Sequence, residues 1–411
     1  MTSQPLVRPF AALRPTPEHA ADVIAPPYDV VSTEEARALA VGRSQSFLHI
    51  SRPEIDLAAG SSPYTDAAYA QGATSLAKLV ETGVLVRERE PSFYVYRMTM
   101  GSRTQTGIAF VGSVAAYEQH GIRRHELTRP DKENDRVRNI ASLNAQTGPV
   151  LLAYRASDAV GALVRAATAS APLFSVAGPN DVQHTLWRVG TPRDVTALAT
   201  AMNALGALYI ADGHHRSAAA ARVAAQRRGN PEASHEYFLA VAFPHDEMRI
   251  LDYNRVVRDL NGLTADAFLK RVRESFAVAA SSGRVAPART ETFGMYLGGR
   301  WYELAIKPEL VPREDPVASL DVSLLQDRLL APVLGIGDPR TDSRIDFVGG
   351  IRGLAELEKR VDSGSAAVAF ALHATRMEQL MAVADAGKLM PPKSTWFEPK
   401  LADGLLSHVL D

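Results

Sequence analysis

Leu208-Tyr-Ile-Ala-Asp-Gly-His-His-Arg-Ser-Ala-Ala-Ala-Ala-Arg222 decides the reading of this chain. Leu208, Tyr209 and Ile210 form a short apolar, β-favouring run. Gly213 supplies the backbone freedom of a sharp turn. From Ser217 the alanines are strong helix formers. The segment therefore reads strand, turn, helix, with Asp212, His214, His215 and Arg216 at the helix N-terminus. Free N–H groups and the helix dipole favour an anion there. Arg216 can grip a phosphate with two hydrogen bonds, and either histidine can donate to it or move a proton. Asp212 is expected to hold a magnesium ion or to accept a proton. The competing reading is a solvated surface turn capped by Asp212.

A chain of 411 residues is too long for one small core. Its 45 basic and 46 acidic residues leave a net charge of −1. That balance argues against nucleic acid or an anionic membrane as the main partner. The absence of cysteine excludes disulfides, thiolate nucleophiles and cysteine-bound zinc. No apolar run approaches the roughly 18 residues of a membrane helix. MTSQPLVRPF lacks the apolar core of a secretory signal, so a cytoplasmic protein is expected.

Upstream, Ser32 and Glu35 have the spacing of a capping box. Ser46–Ser51 alternates and is expected to be a strand ending at Arg52-Pro53-Glu54. Residues 93–100 and 105–114 suggest a hairpin. The polar run Ile122–Arg136 leads into a buried-looking strand near residues 149–154. In it Thr128 or Asp131 is placed to cap a helix, and Arg129, Lys132 and Arg136 recur at helical spacing, so three cations can face one anion. A solvated helix laced with ion pairs is the alternative. Tyr237–Phe243 suits a strand covered on both faces. The chain changes style near 259–262, which divides it into 1–258, carrying the site, and a C-terminal α+β part, 259–411. A helix is expected over 317–330 and a defined loop over 390–400.

Seven blocks in order carry a family resemblance: RPFAALRP (8–15), APPYDVVS (25–32), FLHISRPEID (47–56), RHELTRPDKENDR (124–136), NAQTGPVLLAYR (144–155), IADGHHRSAAA (210–220) and MPPKSTWFEPK (390–400). They resemble the bacterial and archaeal family known as domain of unknown function 1015. The Asp-Gly-His-His-Arg turn also resembles the phosphate loop of the ParB/sulfiredoxin superfamily, which includes kinases of free serine. The resemblance implies an α/β (α+β) fold: a mixed-sheet ParB/sulfiredoxin-like core with added N- and C-terminal α+β parts. His214 stands where sulfiredoxins carry cysteine, which excludes sulfinic-acid repair.

The expected function is phosphorylation of the hydroxyl of a small metabolite, free L-serine first, with a nucleotide or diphosphate as donor and Mg2+ as cofactor. Glu126, Asp212 and His214 are the expected catalytic residues, with Asp212 also the metal ligand. Gly213, His215, Arg216, Arg129, Lys132 and Arg136 are expected to bind phosphate. Arg52, Glu54, Tyr28 and Asn144 complete the set around the substrate. The expected partner is a small molecule, with a homodimer as a further expectation and neither nucleic acid nor membrane. Two alternatives stay open: a non-catalytic nucleotide-binding regulator, and a structural or interaction protein.

Overall fold

The computed structural model describes residues 5–227 and 229–411, which divide into two compact units, residues 1–248 with 399–411, and residues 249–398. Each is mixed α/β in character, with sheets and packed helices. No helix among the described residues is long and apolar enough to cross a membrane.

The first unit is built on a nine-stranded mixed sheet. Its path runs Ile122–Arg123, Leu208–Asp212, Val150–Tyr154, Tyr237–Pro244, Arg103–Ser113, Phe93–Met100, Gln183–Val189, Phe174–Ala177, with Val7–Arg8 added beside Arg103–Ser113. Strand Tyr237–Pro244 lies between a parallel neighbour and an antiparallel one. It is buried through its first seven residues, as a continuous apolar run requires. The hairpin at residues 93–113 forms as expected, with Met100 opposite Arg103.

Two helices of this unit pack on each other, one of them opening directly from strand Leu208–Asp212. Pro130–Leu143 and His214–Gln226 meet through Val137, Ile140, Ala219 and Val223, with Leu410 in the same cluster. Ala219 is fully buried at this contact, and its small side chain lets the helices approach closely. The last thirteen residues return to this unit rather than continuing the second: Asp403 bridges to Ala25, and His408 pairs with Gln146. The division therefore falls at Met248/Arg249 and again at Glu398/Pro399, not once at 258/259.

The second unit carries a six-stranded antiparallel sheet, in the order Phe276–Ser281, Arg300–Ile306, Thr292–Leu297, Val368–Leu372, Tyr253–Val257, Ile345–Gly349. Leu357 and Trp301 help to fill the core on one side of it.

Three local expectations change. Ser46–Ser51 is no strand: residues Leu48–Ser51 form a helical turn followed by a 3-10 turn at Pro53–Asp56. Phe47, Leu48 and Ile50 are all buried, whereas a strand would place Phe47 and Leu48 on opposite faces. The helix starting at Pro130 has Arg129 at its N-cap, and Thr128 donates instead to Glu133. The helix expected over 317–330 is shorter, Asp321–Leu325 followed by a wide π turn at Gln326–Leu330. Ser32 and Glu35 form the expected capping box.

Candidate functional site

Strand Leu208–Asp212 pairs in parallel with Ile122–Arg123, so the residues following both strands emerge at one edge of the sheet. A register shift between Ile210 and Asp212 against Val150–Tyr154 marks a bulge just before the turn. Such a bulge re-aims the last side chain of a strand. Gly213 then takes φ 99°, a conformation that favours glycine. A Cβ there would lie 3.0 Å from Arg216 Nε and 3.3 Å from the Val150 Cα, so space and backbone both demand glycine. Helix His214–Gln226 starts at once, and among the described residues no side-chain hydrogen bond caps its start at Gly213.

The polar run upstream is stapled to this corner. The backbone N–H of Arg129 donates to His215 Nε2 at 3.1 Å, and that of His125 to His214 Nε2 at 3.4 Å. Glu126 Oε2 lies 4.0 Å from His214 Nδ1, and Arg222 reaches Glu133 at 3.3 Å. The rings of His125 and His214 meet edge to face, 4.6 Å apart. Burial pushes the pKa of His125 down to about 4 and holds those of His214 and His215 below the usual histidine value. His125 and His214 are thus neutral imidazoles near pH 7.

Asp212 accepts from the Gly213 N–H at 3.0 Å and from Arg216 Nη2 at 3.3 Å, with Lys400 Nζ at 3.6 Å. Burial pushes its pKa up, but Lys400 and Arg216 outweigh that and hold the carboxyl well below the ordinary range. Asp212 does not fit a magnesium ligand: two protein cations already neutralise its charge. Arg216 also donates to the Pro149 carbonyl. Burial lowers its pKa, but Asp212, Asp29, Tyr28 and Asp403 together raise it.

Behind Arg216 lies a cavity of about 30 Å3 lined by Tyr28, Arg136, Gly148, Arg216 and Asp403, among others. That is room for water rather than for a metabolite. The Arg136 guanidinium lies 3.7 Å over the Tyr28 ring and pairs with Asp135 at 2.6 Å. Burial pushes the Tyr28 hydroxyl up to about 12 and the Asp403 carboxyl up to about 7, the latter against the pull of Arg216.

The other expected residues divide. Arg52 donates to Glu54, Thr33 and the carbonyls of Tyr28 and Val31, so it holds the segment that presents Tyr28. Glu54 is buried, and its Oε2 has no hydrogen-bond partner. Arg129 is an exposed side chain paired with Asp131, and Lys132 reaches Tyr64, so the three cations do not converge: Arg136 alone points to the cavity. Asn144 lies outside the site. It ends its helix at φ 48° and binds the Leu410 carbonyl and Arg227. His125, Lys400 and Asp403 are members of the site that sequence reasoning left out. His125 lies in the block 124–136 and Lys400 closes the block 390–400, whereas Asp403 falls outside every block.

The chain belongs to the family described as protein of unknown function DUF1015, whose model matches residues 7–323. No curated protein matches it. Among solved structures it is similar to a free serine kinase mutant in complex with AMP, at TM-score 0.37 and 11% identity over 71% of this chain and 86% of that one. It is also similar to SbnI with a C-terminal truncation from Staphylococcus aureus, at TM-score 0.38 and 10% identity over 72% and 85%. A conserved hypothetical protein from Pyrococcus furiosus follows at TM-score 0.34 and 13% identity over 73% and 94%. At such scores these likenesses carry no argument about activity.

Proposed function

We propose that this member of the family is a phosphotransferase acting on the hydroxyl of a small metabolite, free L-serine first, with a nucleotide or diphosphate as donor. The observation that carries the reading is the uncapped first turn at His214, set at a bulged strand end beside Arg216 and Lys400. Phosphoryl transfer asks a protein mainly for placement and charge stabilisation. In this reading the donor phosphates lie on the N–H groups of the first turn, with Arg216 and Lys400 alongside. Glu126, 48% exposed on its side chain, accepts the hydroxyl proton of the acceptor. His214 and His215 hold the segment His125–Arg129 against the corner rather than touching phosphate through both rings. Tyr28, presented by Arg52 and Glu54, closes the inner side. Magnesium belongs to the donor's own phosphates and is assigned no step at Asp212. The ParB/sulfiredoxin-like character of the core and a cytoplasmic location belong to the same reading.

The test is a matrix of donors (ATP, ADP, CTP and diphosphate) against amino acids and small alcohols, followed by phosphorus NMR. Lys400→Ala should lower phosphoserine formation at least about 100-fold, the scale of losing one placed charge at a transition state. Wild-type turnover in that variant with every productive donor would remove this corner from the mechanism.

A further inference from the structure

His125 is 2% exposed, and neither ring nitrogen makes a hydrogen bond of normal geometry. The Ile210 backbone faces the ring as a weak partner only. A buried imidazole with both nitrogens unmet is costly, because its polar atoms have left water and gained nothing. His235 is also buried and unmet, with the Glu236 carboxylate 3.9 Å away, but among the described residues it joins no group of three candidate ligands. Around His125 three ligand groups converge, two imidazoles and a carboxylate: one ligand atom each from His125, Glu126 and His214 lie within 4.8 Å of one another.

We propose that His125, Glu126 and His214 form a binding site for a divalent transition-metal ion of the zinc class, with one coordination position left open. Two imidazoles and one carboxylate suit zinc, cobalt or manganese, whereas magnesium prefers oxygen ligands alone. Three protein ligands with a free position make the arrangement found in catalytic rather than structural zinc sites. Bonds of about 2.0–2.2 Å bring ligand atoms to roughly 3.3–3.5 Å from one another. The half-exposed Glu126 side chain can supply most of that closure. His214 gives up only a long 3.4 Å bond when its ring turns to the metal. The Ile210 backbone then serves as the outer partner that orients the His125 ring.

This inference does not rest on the phosphotransferase reading. Where both hold, an ion here engages Glu126, competes with its use as proton acceptor, and sits beside the uncapped helix end.

The full, untagged chain, stripped with a chelator, is titrated with Co2+, Zn2+ and Mg2+ by calorimetry, without donor or acceptor. Co2+ absorption bands report nitrogen ligation. The expected result is one Co2+ or Zn2+ per chain, with Mg2+ far weaker. Glu126→Gln, at an exposed side chain, is expected to keep its fold and to weaken Co2+ binding at least about 10-fold, the lower end for disturbing even an outer partner. His125→Ala is expected to abolish the bands, with circular dichroism checking its fold. No stoichiometric Co2+ or Zn2+ binding, or undiminished affinity in Glu126→Gln, overturns the site. A chain that transfers phosphate but binds no Co2+ refutes the metal site alone. One that binds Co2+ without transferring phosphate refutes the kinase reading alone.

Discussion

Removing the Arg216 guanidinium is the sharpest perturbation of this corner. From sequence, Arg216→Ala is expected to abolish phosphoserine formation while leaving the melting temperature nearly unchanged. The structure reverses the second half. The Arg216 side chain is 10% exposed and faces the carboxylates of Asp212, Asp29 and Asp403. Deleting one partner of a buried arrangement costs at most about 3–5 kcal/mol, and of the carboxylates left behind only Asp403 stays buried, Asp212 being 35% exposed on its side chain and Asp29 exposed. At roughly 2–4 °C per kcal/mol for a unit of this size, the melting temperature should fall by at most about 6–20 °C. The penalty should also depend on pH. Asp403, raised to about 7 by burial, is protonated in the folded state at pH 5.5 and ionised at pH 8.5. Without Arg216 its folded pKa climbs further, and each added unit removes about 1.4 kcal/mol above the titration and nothing below it. The loss at pH 8.5 should therefore exceed that at pH 5.5 by about 1–3 kcal/mol. Urea denaturation of the full chain, followed by circular dichroism at both pH values, measures this. A penalty under about 1 kcal/mol at pH 8.5, or one larger at pH 5.5, would refute the account of Arg216 as the counter-charge of this cluster.

Three further outcomes are expected. Asp403 has a folded pKa of about 7 against about 3.9 unfolded, so its contribution is fullest below pH 4 and is lost as pH rises to 7. Asp403→Asn should flatten that part of the stability–pH curve by about 4 kcal/mol, read by denaturation across the range. Gly213→Ala should cost about 1–3 kcal/mol, since it meets both a left-handed backbone and a 3.0 Å contact with Arg216. Thermal melting showing no loss would contradict that geometry. Tyr28→Phe should keep the stacking on Arg136 and stay within about 0.5 kcal/mol of wild type. Tyr28→Ala should lose about 0.5–2 kcal/mol of cation–π energy besides its packing. Equal losses in the two variants would show that the ring face is not what Arg136 uses.

Local pattern made much of this protein legible. The apolar run at 208–210, the glycine and the alanines announced strand, turn and helix, because each is decided by neighbours within a few positions. The capping box at Ser32 and the hairpin at 93–113 were readable for the same reason. Short apolar segments were less secure: the alternation at 46–51 fits a strand equally well, and only packing of Phe47, Leu48 and Ile50 on one side makes it helical. Ligand spacing within the polar run suggested three converging cations. The helix instead turns Arg129 and Lys132 to the surface, where nearby Asp131 and Tyr64 engage them, and sends Arg136 inwards.

What the amino-acid order determined by itself is the corner and its chemistry: a glycine that must turn, a helix that must begin, and charged groups gathered around both. What tertiary structure alone decided is who stands opposite whom. Parallel pairing of Ile122–Arg123 with Leu208–Asp212 brings Glu126 and His125 to His214 across almost ninety positions, and the returning tail delivers Lys400 and Asp403 from further still. Charge balance and pKa depend on distances through space. No local pattern encodes such distances, so whether Asp212 meets a metal or two protein cations had to wait for the fold.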